Sequence, residues 1–422
     1  MIERTLLKEL TAHLSAPEIT LIIGARQVGK TTLMDQLRSH LAARGEQTLY
    51  LNLDFESDAA HFSTQETLIR KILLEIGAGK GYVFIDEIQR KSNAGLFLKG
   101  IYDRKLPCKF ICSGSGSLEL KEKLDESLVG RKRIFELLPV SFKEYFHYQT
   151  HYRYTTTWQQ FLESHPEKQT SLLNDYLAFG GYPRIITEER QSEKQRIMHD
   201  IFTSYIDRDI ISLIRLERPD AFNRMIQLAA SQIGNLVNIS RWASHCGVAS
   251  TTLQTYLWYA QRTFLIRLLP PWHSNLGKEI VKSPMVYFVD LGMRNYSVGL
   301  YGPILHQGEA AFLFQNLIHN ILHEWMQWRG MTLHFWRTTD KAEVDFVLDL
   351  KHDLLPIEVK HSRMKKPQIG RSLMNFMQKY KPAEALVVNL SLRAELQVNG
   401  TRVRFMPFYE LADGDAIAER AG

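Results

Sequence analysis

The stretch Leu21-Ile22-Ile23-Gly24-Ala25-Arg26-Gln27-Val28-Gly29-Lys30-Thr31-Thr32-Leu33 constrains this 422-residue chain more than any other. An apolar run that reads as a buried strand enters Gly-x-x-x-x-Gly-Lys-Thr, and apolar positions at helical spacing (Leu33, Met34, Leu37) follow. That is the context a phosphate-binding loop needs. The glycines let the backbone curl so that several N–H groups face a phosphate, and the new helix presents its positive dipole end there. Lys30 then reaches the β- and γ-phosphates, and the Thr31 hydroxyl ligates Mg²⁺. Gly24, Ala25, Arg26, Gln27, Val28, Gly29, Lys30, Thr31 and Thr32 are the expected nucleotide contacts, with ATP and Mg²⁺ as the cofactors.

A chain of this length exceeds one hydrophobic core, so several modules are expected. With 45% apolar and 23% charged residues it is ordinary for a soluble globular protein, and no apolar run is long enough to cross a bilayer. The N-terminus carries an early acid and continues as an amphipathic helix (Leu6, Leu7, Leu10, Leu14), which is neither a signal nor a transit pattern. A cytoplasmic location with no membrane partner follows as the expectation. Cys108, Cys112 and Cys246 can form neither a disulfide framework nor a self-contained zinc site. The formal net charge of +6 permits an acidic or nucleic-acid partner without requiring one.

Strand and helix patterns alternate after the loop. Thr48 to Leu53 reads as a second strand, and Tyr82-Val83-Phe84-Ile85 as a third, ending in Asp86-Glu87. Asp86 is placed to hold the metal's ligand shell and Glu87 to polarise the attacking water. A fourth apolar run, Lys109 to Cys112, leads into Ser113-Gly114-Ser115-Gly116-Ser117. Ser113 or Ser115 either contacts the γ-phosphate or sits in a simple turn. Gly130-Arg131-Lys132-Arg133 offers Arg131 or Arg133 as an arginine that stabilises transferred charge, supplied to a neighbouring subunit, or else a solvated basic turn.

Together, Gly24 to Thr31, Phe84-Ile85-Asp86-Glu87-Ile88-Gln89-Arg90, Ser113-Gly114-Ser115 and Gly130-Arg131 through Leu138-Pro139-Val140-Ser141-Phe142-Lys143-Glu144-Tyr145 resemble the prokaryotic AAA-type ATPases that carry a C-terminal DUF4143 region, within the AAA+ superfamily. The resemblance implies a helical lid over the nucleotide. It also implies that Tyr182 and Pro183, in the break Gly180-Gly181-Tyr182-Pro183, lie near the adenine. Read from the residues alone, that tetrapeptide is a turn that stops one helix and starts another. The segment Tyr205 to Ile211, which includes Asp207-Arg208-Asp209, resembles the family's junction helix.

From Met225 to Leu269 the spacing is that of a helix-turn-helix with an apolar wing. Asn238 caps one helix, Cys246-Gly247-Val248 makes the turn, and Ser250 opens the second helix. Arg241 is placed for a DNA phosphate, with Ser250, Thr251, Thr252 and Gln254 on the groove-facing side. The second helix carries no Lys or Arg, so the same module also fits a protein-packing role.

Beyond Pro270-Pro271, Asp345 and Glu358 fall on two strands of an expected hairpin, and the two-residue period sets Glu358 and Lys360 on one face. Two acids and a lysine are the parts for metal-assisted phosphodiester hydrolysis. The arrangement resembles the PD-(D/E)xK nuclease fold, with one departure: Gln315 stands where the pattern offers a glutamate. An amide binds a hard cation less well than a carboxylate, so the expectation is a nuclease-like domain without nuclease activity.

The expected fold is α/β: a P-loop AAA+ core (1–146), a helical lid (147–215), a winged helix-turn-helix (216–271) and a PD-(D/E)xK nuclease-like α/β domain (272–422). The expected function is an Mg²⁺-dependent ATPase acting on DNA, branched DNA included, as a homo-oligomeric ring. The alternatives are a nucleotide-controlled signalling or defence switch that binds a protein partner, and an ATP-gated endonuclease.

Overall fold

The computed structural model describes residues 1–115, 128–206, 210, 218–273, 282–302, 307–327, 329–351 and 353–413, except the side chains of Ser115 and Gln307. The junction residues Asp207, Arg208 and Asp209 lie outside them.

The apolar runs of the first module become five parallel strands: β1 (Ile19–Gly24), β2 (Thr48–Asn52), β3 (Gly81–Asp86), β4 (Cys108–Ser115) and β5 (Lys132–Glu136). Their order is β2-β3-β4-β1-β5. β1 and β3 are buried at every position, as expected of parallel strands covered on both faces. The helix Lys30–Ala42 buries Leu33, Met34, Leu37 and Leu41, the stripe that the sequence spacing sets out. Because β4 is inserted between β1 and β3, the carboxyl ends of all three meet beside the Gly24–Thr31 loop. Open parallel sheets bind ligands at that edge.

Over the stretch expected to form the lid run helices Phe142–Gln149, Trp158–Ser164, Pro166–Phe179, Pro183–Thr187 and Gln191–Ser204. The first starts in a capping box, with Ser141 Oγ accepting from Glu144 N and the Glu144 carboxylate reaching back. Three helices, Pro219–Ser231, Ile239–Cys246 and Ser250–Arg262, then lead into an antiparallel pair, β6 (Ile266–Leu269) and β7 (Met285–Phe288). This pair bridges the expected division at 271/272.

The C-terminal region runs from helix Gln307–Met326 through β8 (Thr332–Arg337), β9 (Glu343–Asp349) and β10 (Leu354–Val359), then helix Arg371–Tyr380 and β11 (Glu384–Asn389). With β12 (Ala394–Val398) and β13 (Thr401–Pro407) the strands form one mixed sheet, ordered β12-β13-β11-β10-β9-β8. A continuous apolar core links Ile22, Phe146, Leu177, Trp242, Phe314 and Phe408. A second, smaller core lies between helix Arg371–Tyr380 and the sheet, around Trp336, Phe376 and Val387. Among the described residues no helix is long and apolar enough to cross a membrane.

His319 joins these layers. It is 2% exposed and stacks on Tyr287 with ring centroids 4.3 Å apart. Burial, then the nearby Arg267, push its pKa down to about 3. The unfolded chain takes up a proton near pH 6.5 that the fold refuses, so stability is full above that pH and is lost as pH falls toward 3. At pH 4.5 the loss from this group is about 3 kcal/mol. We expect His319→Phe, which keeps the stacking, to flatten the fall in thermal stability between pH 7 and 4.5. An unchanged pH slope would rule His319 out as its source.

Candidate active site

Three residues of the loop show why their types are needed. A Cβ on Gly24 would come within 2.3 Å of the Leu137 carbonyl oxygen, so the exit of β5 leaves room there only for glycine. Gly29 has φ +98°, a left-handed conformation that glycine adopts without strain. Lys30 is 6% exposed. Its Nζ donates to the carbonyls of Gly24 (3.1 Å) and Ala25 (2.8 Å), which holds the ammonium inside the curl of the loop.

Asp86 is 1% exposed and is the hub of the site. Its Oδ2 accepts from Thr31 Oγ1 at 2.7 Å and from the Tyr50 hydroxyl at 2.8 Å. Its Oδ1 accepts from the Ser113 hydroxyl and from the Glu87 N–H at 3.0 Å. Thr31 and Asp86 thus place two hard oxygen donors side by side, the donor type Mg²⁺ prefers. These residues fit the ion, which when bound would draw charge from the transferred phosphoryl group. Glu87 sits at φ +56°, a strained backbone for a non-glycine residue, and its carboxylate accepts from the Gln89 side-chain amide.

Of the two candidate serines, Ser113 is the one seen at Asp86. Ser115 pairs in register with Gly24 at the end of β4, and its side chain lies outside the description. Arg131 and Arg133 are not brought to this chain's own loop. They flank the start of β5, where Thr20 pairs with Arg133 and the Arg131 carbonyl accepts from Ile19 N. Roughly 15–20 Å of strand separates that end of β1 from Gly24. Arg131 is paired there with Asp103 at 2.9 Å.

The turn Gly180–Pro183 does reach the loop. Pro183 Cγ lies 3.8 Å from where a Gly29 Cβ would sit, and Tyr182 is buried. Two residues that sequence reading missed complete this contact. Arg184 Nη1 reaches Gln27 Oε1 at 3.4 Å, adding a guanidinium at the loop's rim. Asp290, from the far side of the fold, accepts from Gly181 N (2.7 Å) and Met293 N (2.8 Å). It fixes the turn and caps helix Leu291–Ser297 at once, while Asn295 Nδ2 donates to the carbonyls of Leu177 and Ala178. Tyr182-Pro183 was legible as a turn. The Asp-x-x-Met cap that holds it lies 109 residues away, beyond any local signal.

Burial raises the Asp290 carboxyl to about 6 despite its backbone hydrogen bonds. Asp290→Ala leaves two buried N–H groups without a partner, an effect of about 1–3 kcal/mol each. The expected result is a lower melting temperature together with weaker nucleotide binding, because Pro183 is no longer held over Gly29. Unchanged nucleotide affinity in the folded variant would show that the turn does not support the loop.

The C-terminal acid–lysine group also assembles. Asp345 Oδ2 accepts from Val359 N at 2.7 Å, and Lys360 Nζ lies 2.6 Å from Glu358 Oε1. Gln315 meets them: its Nε2 donates to Asp345 Oδ1 at 2.9 Å. Burial, then the charge of Glu358, raise the Asp345 carboxyl to about 7. Glu358 Oε2 is buried with no hydrogen-bond partner. Among the described residues no group of three or more His, Cys, Asp or Glu side chains is arranged to hold a metal.

On the expected helix-turn-helix, Arg241, Ser250, Thr251 and Gln254 are exposed and Thr252 is half-buried. The second helix, Ser250–Arg262, carries a basic residue only at its last position, and two further guanidiniums come from outside it. Arg218 Nη1 donates to the Gly247 carbonyl at 2.6 Å and Arg224 Nη2 to that of Cys246 at 2.9 Å, which sets two guanidiniums at the turn.

Comparison with known proteins matches residues 16–146 to an AAA domain, 170–303 to DUF8612 and 310–411 to DUF4143, the latter two domains of unknown function. The helix-turn-helix therefore falls in the DUF8612 match, outside DUF4143. An uncharacterized protein of Mycobacterium bovis is 25% identical over 364 residues, 84% of this chain and 72% of that protein. One of Haemophilus influenzae is 25% identical over 367 residues, 84% and 85% of the two chains. A replication initiator DnaA bound to AMPPCP and single-stranded DNA aligns over 62% of this chain and 90% of its own, at 13% identity. The TM-score of that alignment is 0.30. With the glycine loop and the Asp86 hub inside the first match, the chain carries an AAA-type domain followed by a C-terminal DUF4143 region.

Proposed function

We propose that this protein hydrolyses ATP with Mg²⁺ and uses the cycle to act on DNA. The observation that carries the hydrolytic part is the 2.7 Å contact of Thr31 with Asp86, beside Lys30 and Glu87. In the proposed roles Lys30 binds the phosphates, and Thr31 and Asp86 hold Mg²⁺. Glu87 orients water, and Ser113 positions Asp86. Tyr182 and Pro183 shape the base end. Arg131 or Arg133 serves the neighbouring copy in a homo-oligomer, since each stands at the opposite end of the sheet from its own loop.

The DNA part is supported by the helix-helix-helix-strand-strand order of residues 219–288 and by the arginines at its turn. The helix-strand-strand-strand-helix-strand order of residues 307–389, with Asp345 and Glu358-Lys360 on adjacent strands, supports a nuclease-like fold. We assign residues 1–146 to the ATPase core, 147–215 to the lid, 216–271 to the winged module, its wing completed by β7, and 272–422 to the nuclease-like domain. Gln315 occupying Asp345 favours a domain that binds without cutting.

The test is ATP turnover with and without duplex, single-stranded and branched DNA, at two salt concentrations. Stimulation by one form that fades at higher salt is the expected result. Turnover that no DNA changes, with no salt-sensitive binding, would favour the nucleotide-controlled switch. The bracing of the lid by the C-terminal region, where Arg363 donates to the Pro166 carbonyl and to Gln169 Oε1, is the observation on that side.

A further inference from the structure

Arg4 stands in the N-terminal segment, before the residues that match the AAA domain. Its side chain is 8% exposed and makes three bonds, one of them to the nucleotide-binding loop. Nη1 donates to the Val28 carbonyl at 2.9 Å. Nη2 donates to the Leu138 carbonyl at 2.6 Å, and Nε pairs with Glu144 Oε2 at 3.0 Å. The Glu144 carboxylate is itself fixed by Thr5 N (2.6 Å), Thr5 Oγ1 (2.8 Å) and Ser141 N (3.0 Å). The guanidinium therefore cannot drift. It ties the loop to the exit of β5 and to the first lid helix.

Val28 is the residue before Gly29, and a trans peptide is planar, with its C=O and N–H pointing in opposite directions. A charged donor holding the Val28 oxygen on the Arg4 side turns the Gly29 N–H the other way. Gly29, at φ +98°, follows without strain. Leu138, the second carbonyl, follows Leu137, whose own carbonyl oxygen abuts Gly24. One guanidinium thus holds the carbonyl that precedes Gly29 and the strand exit beside Gly24. Lysine cannot reproduce this, because a single ammonium lacks the planar fork that spans two carbonyls and a carboxylate.

We infer that Arg4 is a positioning residue for nucleotide binding, presetting the peptide between Val28 and Gly29 so that its N–H is offered to phosphate. The inference rests on the ATPase reading above. Arg4 touches no phosphate itself, so its loss weakens binding before it slows chemistry.

The test measures ATP affinity, KM, kcat and melting temperature for the full chain carrying Arg4→Ala, Arg4→Lys or Thr5→Ala. Thr5 shares Glu144 but not the loop, so it reports the purely structural part. Arg4→Ala is expected to raise KM and the dissociation constant for ATP by tenfold or more, with kcat within threefold, and Arg4→Lys to fall between it and wild type. Thr5→Ala is expected to lower the melting temperature with KM unchanged. ATP affinity within twofold of wild type in folded Arg4→Ala, or an equal rise in KM from Thr5→Ala, would overturn the inference. Should Arg4→Ala fail to fold, the Arg4→Lys and Thr5→Ala pair decides by the same KM comparison. Wild-type protein that binds no ATP would overturn the ATPase reading as well, and is told apart by that control alone.

Discussion

Lys30→Ala is expected to abolish detectable ATP binding and to cut turnover by at least a hundredfold. The ammonium is held inside the loop by the Gly24 and Ala25 carbonyls, so it is already in place when a phosphate arrives. A preorganised charge at a developing anion contributes about 3–4 kcal/mol, or two to three powers of ten in rate. The companion substitution Glu87→Gln separates the roles. It keeps the shape of the residue and its bond with Gln89, so nucleotide should still bind, while the carboxylate proposed to polarise water is gone. Phosphate release and nucleotide titration on both variants check this. If Lys30→Ala turned over ATP at the wild-type rate, the site described above would not be the active site.

Gln315→Glu is expected to create a divalent-cation site in the C-terminal region. The amide now donates to Asp345 Oδ1, neutralising one acceptor of a carboxyl whose pKa burial and Glu358 already push up to about 7. A third carboxylate at that point removes the donor and adds repulsion, which a hard cation with oxygen preference relieves. The variant should therefore melt several degrees below wild type without metal and recover on addition of Mn²⁺, with titration calorimetry showing binding that wild type lacks. Nicking of plasmid by the variant with Mn²⁺, lost again on Lys360→Ala, would be the further sign of a nuclease ancestry. A variant whose stability ignores Mn²⁺ would sink the idea that Gln315 is what keeps the group metal-free.

Much of the candidate site was legible because its parts are local. A strand, a glycine curve and a helix lie within thirteen residues, and Asp86-Glu87 announces itself at the end of an apolar run. Ser113 was within reach as a polar residue at a strand end, but its contact with Asp86 was not, because it joins two different strands. Tyr50 was hidden differently. In a strand of alternating burial it reads as packing, whereas its hydroxyl in fact completes the Asp86 shell.

The amino-acid sequence by itself determined the loop, the order of its chemistry and the acid–lysine spacing, because each is set by periodicity and residue type over a short span. Only the tertiary structure decided what holds them. Arg4 reaches Val28 across 24 residues, Asp290 reaches Gly181 across 109, and Gln315 reaches Asp345 across 30. Such contacts depend on how layers of the fold close over one another. That closure follows from burying a shared apolar core, which no local pattern of residues records.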